Sequence, residues 1–203
     1  MRKLMVFAVL WGTSVSGVSA QAAWDSPLLL PPRPADGLGI FLTDMHGGGL
    51  GVLASWRSPI WNYGLRAGIA EGAGDDDLSI FGGVDYSGPI NAATADFPID
   101  IDWVLGAGLG VGDGVRVSFP LGLTGGHTFR GNSASFAPYI TPRVVLDAWF
   151  GGDEGGQDAD LDFAVDLGLD LNITGGGGPL AGTTIRFGAS LGNREAVGIG
   201  LVF

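Results

Sequence analysis

Few side chains in this sequence could carry chemistry. There are two histidines, His46 and His127, and no cysteine. Nucleophilic catalysis needs a hydroxyl or thiol within hydrogen-bond reach of a base. No serine is placed convincingly near either histidine, so no catalytic residue is assigned. Asp44 and the run Asp75, Asp76, Asp77 could serve His46 as carboxylate partners. A second constellation is the stretch GGDEGGQDADLD at 151–162, where Asp158, Asp160 and Asp162 have the alternate spacing of a calcium loop. Phe163 occupies the place of that loop's turn glycine, and no glutamate follows at its last position. Asp153, Glu154, Asp158 and Asp160 are therefore candidate ligands for weak calcium at most, and otherwise form a solvated acidic loop. The glycine runs GGGGP at 175–179 and GLGVGDG at 108–114 lack the helix and the Gly-Lys-Ser/Thr ending of a phosphate loop.

The third constellation is spread along the chain. Arg66, Arg116, Arg143 and Arg186, with Asp85, Asp100, Asp102, Asp147, Asp162, Asp166 and Asp170, each alternate with bulky apolar residues. The clearest case is Leu161 to Ile173, where Leu, Phe, Val and Ile alternate with Asp, Ala, Gly and Asn over thirteen residues. Period two places one set on each face of a strand and excludes a helix. Ten such segments are bounded by Gly, Pro, Asn or Asp: 37–43, 49–57, 60–70, 77–87, 98–111, 114–124, 136–150, 160–173, 182–192 and 195–203. The charged residues then share one face, where a guanidinium fork can hold two carboxylates.

Composition says what surrounds those strands. Arg2 and Lys3, the apolar run Leu4 to Trp11 and the ending Val18-Ser19-Ala20 have the three parts of a secretory signal peptide, read as residues 1–20. Without Arg2 and Lys3, the 10 basic residues fall to 8 against 21 acidic ones, a net −13 with no lysine left. Such a surface excludes nucleic acid as a partner. Only 15% of residues are charged, against roughly 25% in soluble domains. The 38 glycines suit a cramped inner face better than a soluble core. No run after residue 20 is long enough for a spanning helix, which leaves strands, and spanning strands must close on themselves. The expected fold is all-β, an antiparallel up-and-down transmembrane β-barrel of ten strands over 37–203, or eight if residues 37–57 form no hairpin. The proline-rich residues 21–36 are read as a periplasmic lead-in, because proline cannot join a central ladder.

The last eight residues, AVGIGLVF, put Val197, Ile199, Leu201 and Phe203 on one face and small residues on the other. This ending resembles the closing strand of bacterial outer-membrane β-barrel proteins, which finish on a phenylalanine read by the barrel-assembly machinery. The chain is similar in size to the small OmpA, OmpW and omptin barrels. The resemblance implies a Gram-negative outer-membrane location, lipid and the assembly machinery as partners, and a carboxy terminus on the periplasmic side. Asp44, His46 and Asp75 to Asp77 then resemble, in residue type and rim placement alone, the aspartate and histidine pairs of the ten-stranded omptin proteases. Trp56, Trp61, Tyr63, Tyr86, Phe97, Phe136 and Phe203 would form an aromatic girdle on the periplasmic side, and Phe150 and Phe163 one opposite. Ten strands leave a narrow lumen. The expected function is a closed, salt-bridged barrel with a structural or surface-interaction role and no enzymatic activity. The alternatives are a narrow channel or small-molecule transporter, preferring cations because seven aspartates face four arginines, and a hydrolase at the outer rim. No cofactor is expected beyond weak calcium, and the oligomeric state is left open.

Overall fold

A computed structural model describes residues 24–45, 49–71, 78–112, 114–151, 157–174 and 181–203, apart from the side chains of 157 and 158. The described chain forms β1 (Gly37–Met45), β2 (Gly49–Arg57), β3 (Tyr63–Glu71), β4 (Leu78–Asn91), β5 (Asp100–Val111), β6 (Val115–Gly126), β7 (Phe129–Arg130), β8 (Ala134–Phe150), β9 (Gln157–Ile173), β10 (Thr184–Gly192) and β11 (Ala196–Val202). Each barrel strand pairs antiparallel with the next, β6 reaches β8 past the two-residue β7, and β1 pairs with β11. Ten strands thus close a ring. The β1–β2 hairpin runs from Gly37↔Arg57 to Met45↔Gly49, so the eight-strand alternative is not adopted. Among the described residues, the element absent from the sequence reading is β7, which pairs Phe129 with Phe136 and begins in the stretch between the segments expected at 114–124 and 136–150.

Alternation in sequence becomes alternation in exposure. Along β1, Leu38, Ile40 and Leu42 face outward while Phe41, Thr43 and Met45 are buried. Proline interrupts the ladder where its missing N–H falls: pairing lapses between Leu105↔Leu121 and Gly108↔Ser118, beside Pro120. The inner-face glycines make room for rings. A Cβ on Gly68 would lie 2.5 Å from the Phe81 ring, and on Gly200 or Gly168 it would run into Phe41 or Tyr139. Bulky inward aromatics and bare glycines on neighbouring strands thus fill a narrow interior together.

The end of the barrel that holds Gly37 and Phe203 is called proximal; there Phe203 N donates to Leu38 O at 2.8 Å. Strands β2, β4, β6 and β9 end on this side, and β1, β3, β5, β8 and β10 end on the opposite, distal side. At the proximal end Tyr63 stacks on Tyr86 at 6.0 Å between ring centres, with Trp56 edge-on to Tyr63. Phe129 stacks on Phe136 at 4.7 Å.

The segment read as a lead-in outside the barrel is instead its core. Trp24, Asp25, Leu28, Leu29 and Leu30 are each at most 2% exposed. The Trp24 ring lies against Gly83 and Gly106 of β4 and β5, and Leu29 lies against Gly188 of β10. Proline bars a segment from a sheet ladder, but in a lumen lined by side chains the backbone can be satisfied by those side chains instead. Pairing rules for strands therefore gave the wrong place for it.

Candidate functional site: the occluded lumen

Residues 24–33 run down the lumen from the distal half to the proximal mouth, and wall side chains meet their polar groups in sequence. The Ser26 hydroxyl donates to Arg194 O in the turn after β10 at 2.9 Å. Leu28 N donates to Asp166 Oδ1 of β9 at 3.2 Å, and Leu29 O accepts from Arg186 Nη1 of β10 at 2.9 Å. Leu30 O accepts from the Thr124 hydroxyl of β6 at 3.1 Å. Arg33 N then donates to Asp102 Oδ2 of β5 at 2.8 Å. Leu29 and Arg33 both have φ of 49°, a left-handed conformation costing roughly 1 to 3 kcal/mol each outside glycine. Both are residues that the wall ties down.

Asp25 anchors the distal end of this segment. Its carboxylate accepts from Arg143 Nη1 at 2.5 Å and from Arg194 Nη1 at 2.7 Å, and its carbonyl accepts from Arg143 Nη2 at 3.1 Å. Burial alone would raise this carboxyl's pKa, yet Arg194 and Arg143 outweigh burial and hold it below its ordinary value. The pairs continue outward from this centre. Arg143 Nε donates to Asp166 Oδ2 at 2.6 Å. Arg194 and Arg116 both pair with Asp147, and Arg194 Nε lies 3.4 Å from Asp162. The Arg116 guanidinium also sits 4.8 Å from the centre of the Trp149 ring. Toward the proximal end, Arg186 grips Asp170 with two bonds of 2.7 Å, and Asp85 takes both Arg57 and Arg66. At the mouth Arg33 Nε pairs with Asp100 at 3.1 Å.

The structure brings all eleven charged residues expected in the lumen to the inner face or its proximal mouth, and adds Asp25, Arg33, Arg57 and Arg194. Arg194, in the tight turn after β10, is carried over the lumen and faces inward, 4% exposed. With these additions seven arginines (33, 57, 66, 116, 143, 186, 194) stand against eight aspartates (25, 85, 100, 102, 147, 162, 166, 170). The acidic surplus behind a cation preference thus falls from three to one. The missed signal was Trp24 with three consecutive leucines, too apolar for a solvated lead-in.

The remaining candidates lie elsewhere. His46, Asp75 to Asp77, Asp153 and Glu154 fall outside the described residues, as do residues 1–20, and so does the Asp158 side chain. Asp160 is exposed, and its carboxylate caps Leu161 N at 2.8 Å. Among the described residues no group of three or more His, Cys, Asp or Glu is arranged to hold a metal ion. His127, near the proximal end, packs edge-on to Phe129 at 4.5 Å. Val197, Ile199 and Phe203 of the expected assembly signal are exposed on the outer face, and Leu201 is half-buried.

No family model matches the chain, and no curated protein matches it. Among solved structures it is similar to Pseudomonas aeruginosa OccK11 (OpdR), at 14% identity over 83% of this chain and 66% of that one, with a TM-score of 0.22. The chain thus spans just under two thirds of that protein's length. So loose a superposition carries no argument about a pore or a substrate.

Proposed function

We propose that this chain is an integral outer-membrane β-barrel whose lumen is closed by its own amino-terminal segment and by salt bridges, with a structural or surface-interaction role. The observation that carries this reading is an inverted polarity. Leu42, Leu50 and Leu161 are more than 60% exposed on the outer face, while Arg143, Asp166 and Asp85 are at most 2% exposed inside. Monomeric soluble proteins rarely expose a contiguous apolar patch beyond a few hundred Å². Hydrocarbon requires such a belt, and it requires closure so that no strand edge goes unpaired. The aromatic clusters around Tyr63 and Phe129 at the proximal end fit an interfacial girdle. Expression in a Gram-negative host tests the location. The protein is expected in the outer-membrane fraction, resistant to a urea wash and migrating faster on gels when unheated; recovery in the soluble periplasmic fraction would refute it.

A narrow channel is the second reading, favoured by a cavity of about 330 Å³ at the proximal mouth, lined by Arg33, Asp36, Trp61 and Asp102. Below that vestibule the lumen is filled by residues 24–31. Conduction therefore requires this segment to leave.

A further inference from the structure

The cavity of about 330 Å³ at the proximal mouth has stiff walls. Pro34, Pro59 and Pro89 line it, and a proline ring fixes its own backbone. The turn between β2 and β3, which forms one side, is held by hydrogen bonds of its own and to β4. Ile60 N and Trp61 N donate to Ser58 Oγ at 3.3 and 3.1 Å, and Ser87 N donates to Asn62 O at 3.1 Å. Trp61, on that turn, lines the cavity and is 64% exposed. The volume falls within the roughly 300 to 1,000 Å³ of sites that hold small molecules. A site shaped in advance loses little to ordering when a ligand enters.

The charges of the cavity decide what it would hold. Arg33 pairs with Asp100, and Arg57 with Asp85, which Arg66 shares. Asp36 and Asp102 also line the cavity, and among the described residues neither makes an ion pair. Asp36 is exposed. Asp102 is 3% exposed; its Oδ2 accepts from Arg33 N, and its Oδ1 has no hydrogen-bond partner. Around the mouth three arginines (33, 57, 66) thus face four aspartates (36, 85, 100, 102), one carboxylate in excess. A cation is drawn both to that excess and to the face of an indole. A bare metal ion would use the carboxylates but gain nothing from Ile60 and Trp61, whereas an organic cation uses both.

We propose that this vestibule binds one small water-soluble organic cation, a primary alkylammonium, with its head at the carboxylates of Asp36 and Asp102 and its body against Trp61 and Ile60. The ammonium N–H groups supply donors to the carboxylate oxygens, and its charge balances the excess aspartate. Binding is independent of where the barrel resides, because the site is built by the folded chain alone.

Calorimetric titration of the purified protein in detergent, at constant ionic strength, tests this with butylammonium as the probe. Butylammonium should saturate at one per chain, and butyrate and butanol should not bind. Asp36→Asn should weaken binding about tenfold and Trp61→Ala about threefold. Both side chains are exposed, so neither variant threatens the fold. Asp160→Asn removes an exposed carboxylate of β9 near the distal end and should leave the affinity unchanged. Absence of saturable binding, equal binding of butyrate, or an unchanged affinity in Asp36→Asn would each overturn the site. A loss in Asp160→Asn equal to that in Asp36→Asn would reduce binding to the attraction of an acidic protein for any cation, and would overturn it as well.

Discussion

Replacing Asp25 with alanine should undock the amino-terminal segment while leaving the barrel wall standing. The four apolar side chains Trp24, Leu28, Leu29 and Leu30 each contribute about 1.5 to 3 kcal/mol by burial, or ~6 to 12 in sum. Fixing the backbone of residues 24–30 costs about 1 to 2 kcal/mol per residue, or ~7 to 14. These two terms nearly cancel, so the polar contacts decide whether the segment stays docked. Asp25 supplies the two shortest of them, at 2.5 and 2.7 Å to Arg143 and Arg194. Removing one partner of a buried pair costs about 3 to 5 kcal/mol. The lower figure applies here, because Arg143 keeps Asp166 and Arg194 keeps Asp147. At 1.4 kcal/mol per tenfold, ~3 kcal/mol raises the undocked population by about 10²-fold. The chain has no cysteine, so Ser26→Cys, at a position 6% exposed, provides a unique reporter. Its reaction with a water-soluble maleimide should be slow in the single variant and about 10²-fold faster when Asp25→Ala is added. The unheated gel shift should be unchanged, since no ladder bond involves residue 25. Equal labelling rates would refute the assignment of Asp25 as the anchor, and loss of the gel shift would refute the independence of plug and wall.

The same carboxylate sets a pH dependence. Because Arg194 and Arg143 hold the native pKa of Asp25 below its unfolded value of about 3.9, its contribution is complete above that pH and is lost as pH falls through the native value. Hydrogen exchange of the Leu28 amide, taken relative to its intrinsic rate at each pH, should therefore accelerate below pH ~4, and less so when Asp25→Asn is added. Arginine at Leu167, 44% exposed on the outer face, should lower stability in bilayers by about 2 to 4 kcal/mol. Arginine at Gly168 should instead collide with the Tyr139 ring that covers it, disturbing the lumen without a dependence on lipid thickness; urea titrations in bilayers of two thicknesses separate the two. Replacing Phe203 with Asp should block assembly while leaving export intact, read as periplasmic accumulation of processed protein. Normal outer-membrane recovery would remove the terminal phenylalanine from the account.

The wall was largely legible because a strand declares both faces through period two. The segment expected at 160–173 is found at 157–173, and the one expected at 49–57 has those bounds. Inward placement of Arg143, Asp147, Asp166 and Asp170 followed from the same alternation. What alternation cannot reach is a residue outside a ladder or at its edge. Asp25 belongs to an irregular segment with no period, and Arg194 to a turn whose direction depends on the strands on either side. Arg57 closes β2, at the boundary of its pattern. Their placement is decided by tertiary charge pairing and by the volume that the inner-face glycines leave, and neither is local in sequence.

The central claim is that this barrel is closed by its own amino-terminal segment. Conductance of the protein in a planar bilayer, compared with that of a variant lacking residues 24–31 and carrying an intact signal peptide junction, tests it most directly. The full chain should insert without steady conductance and the shortened chain should open stable, small channels. A full chain that conducts as well as the shortened one would contradict it.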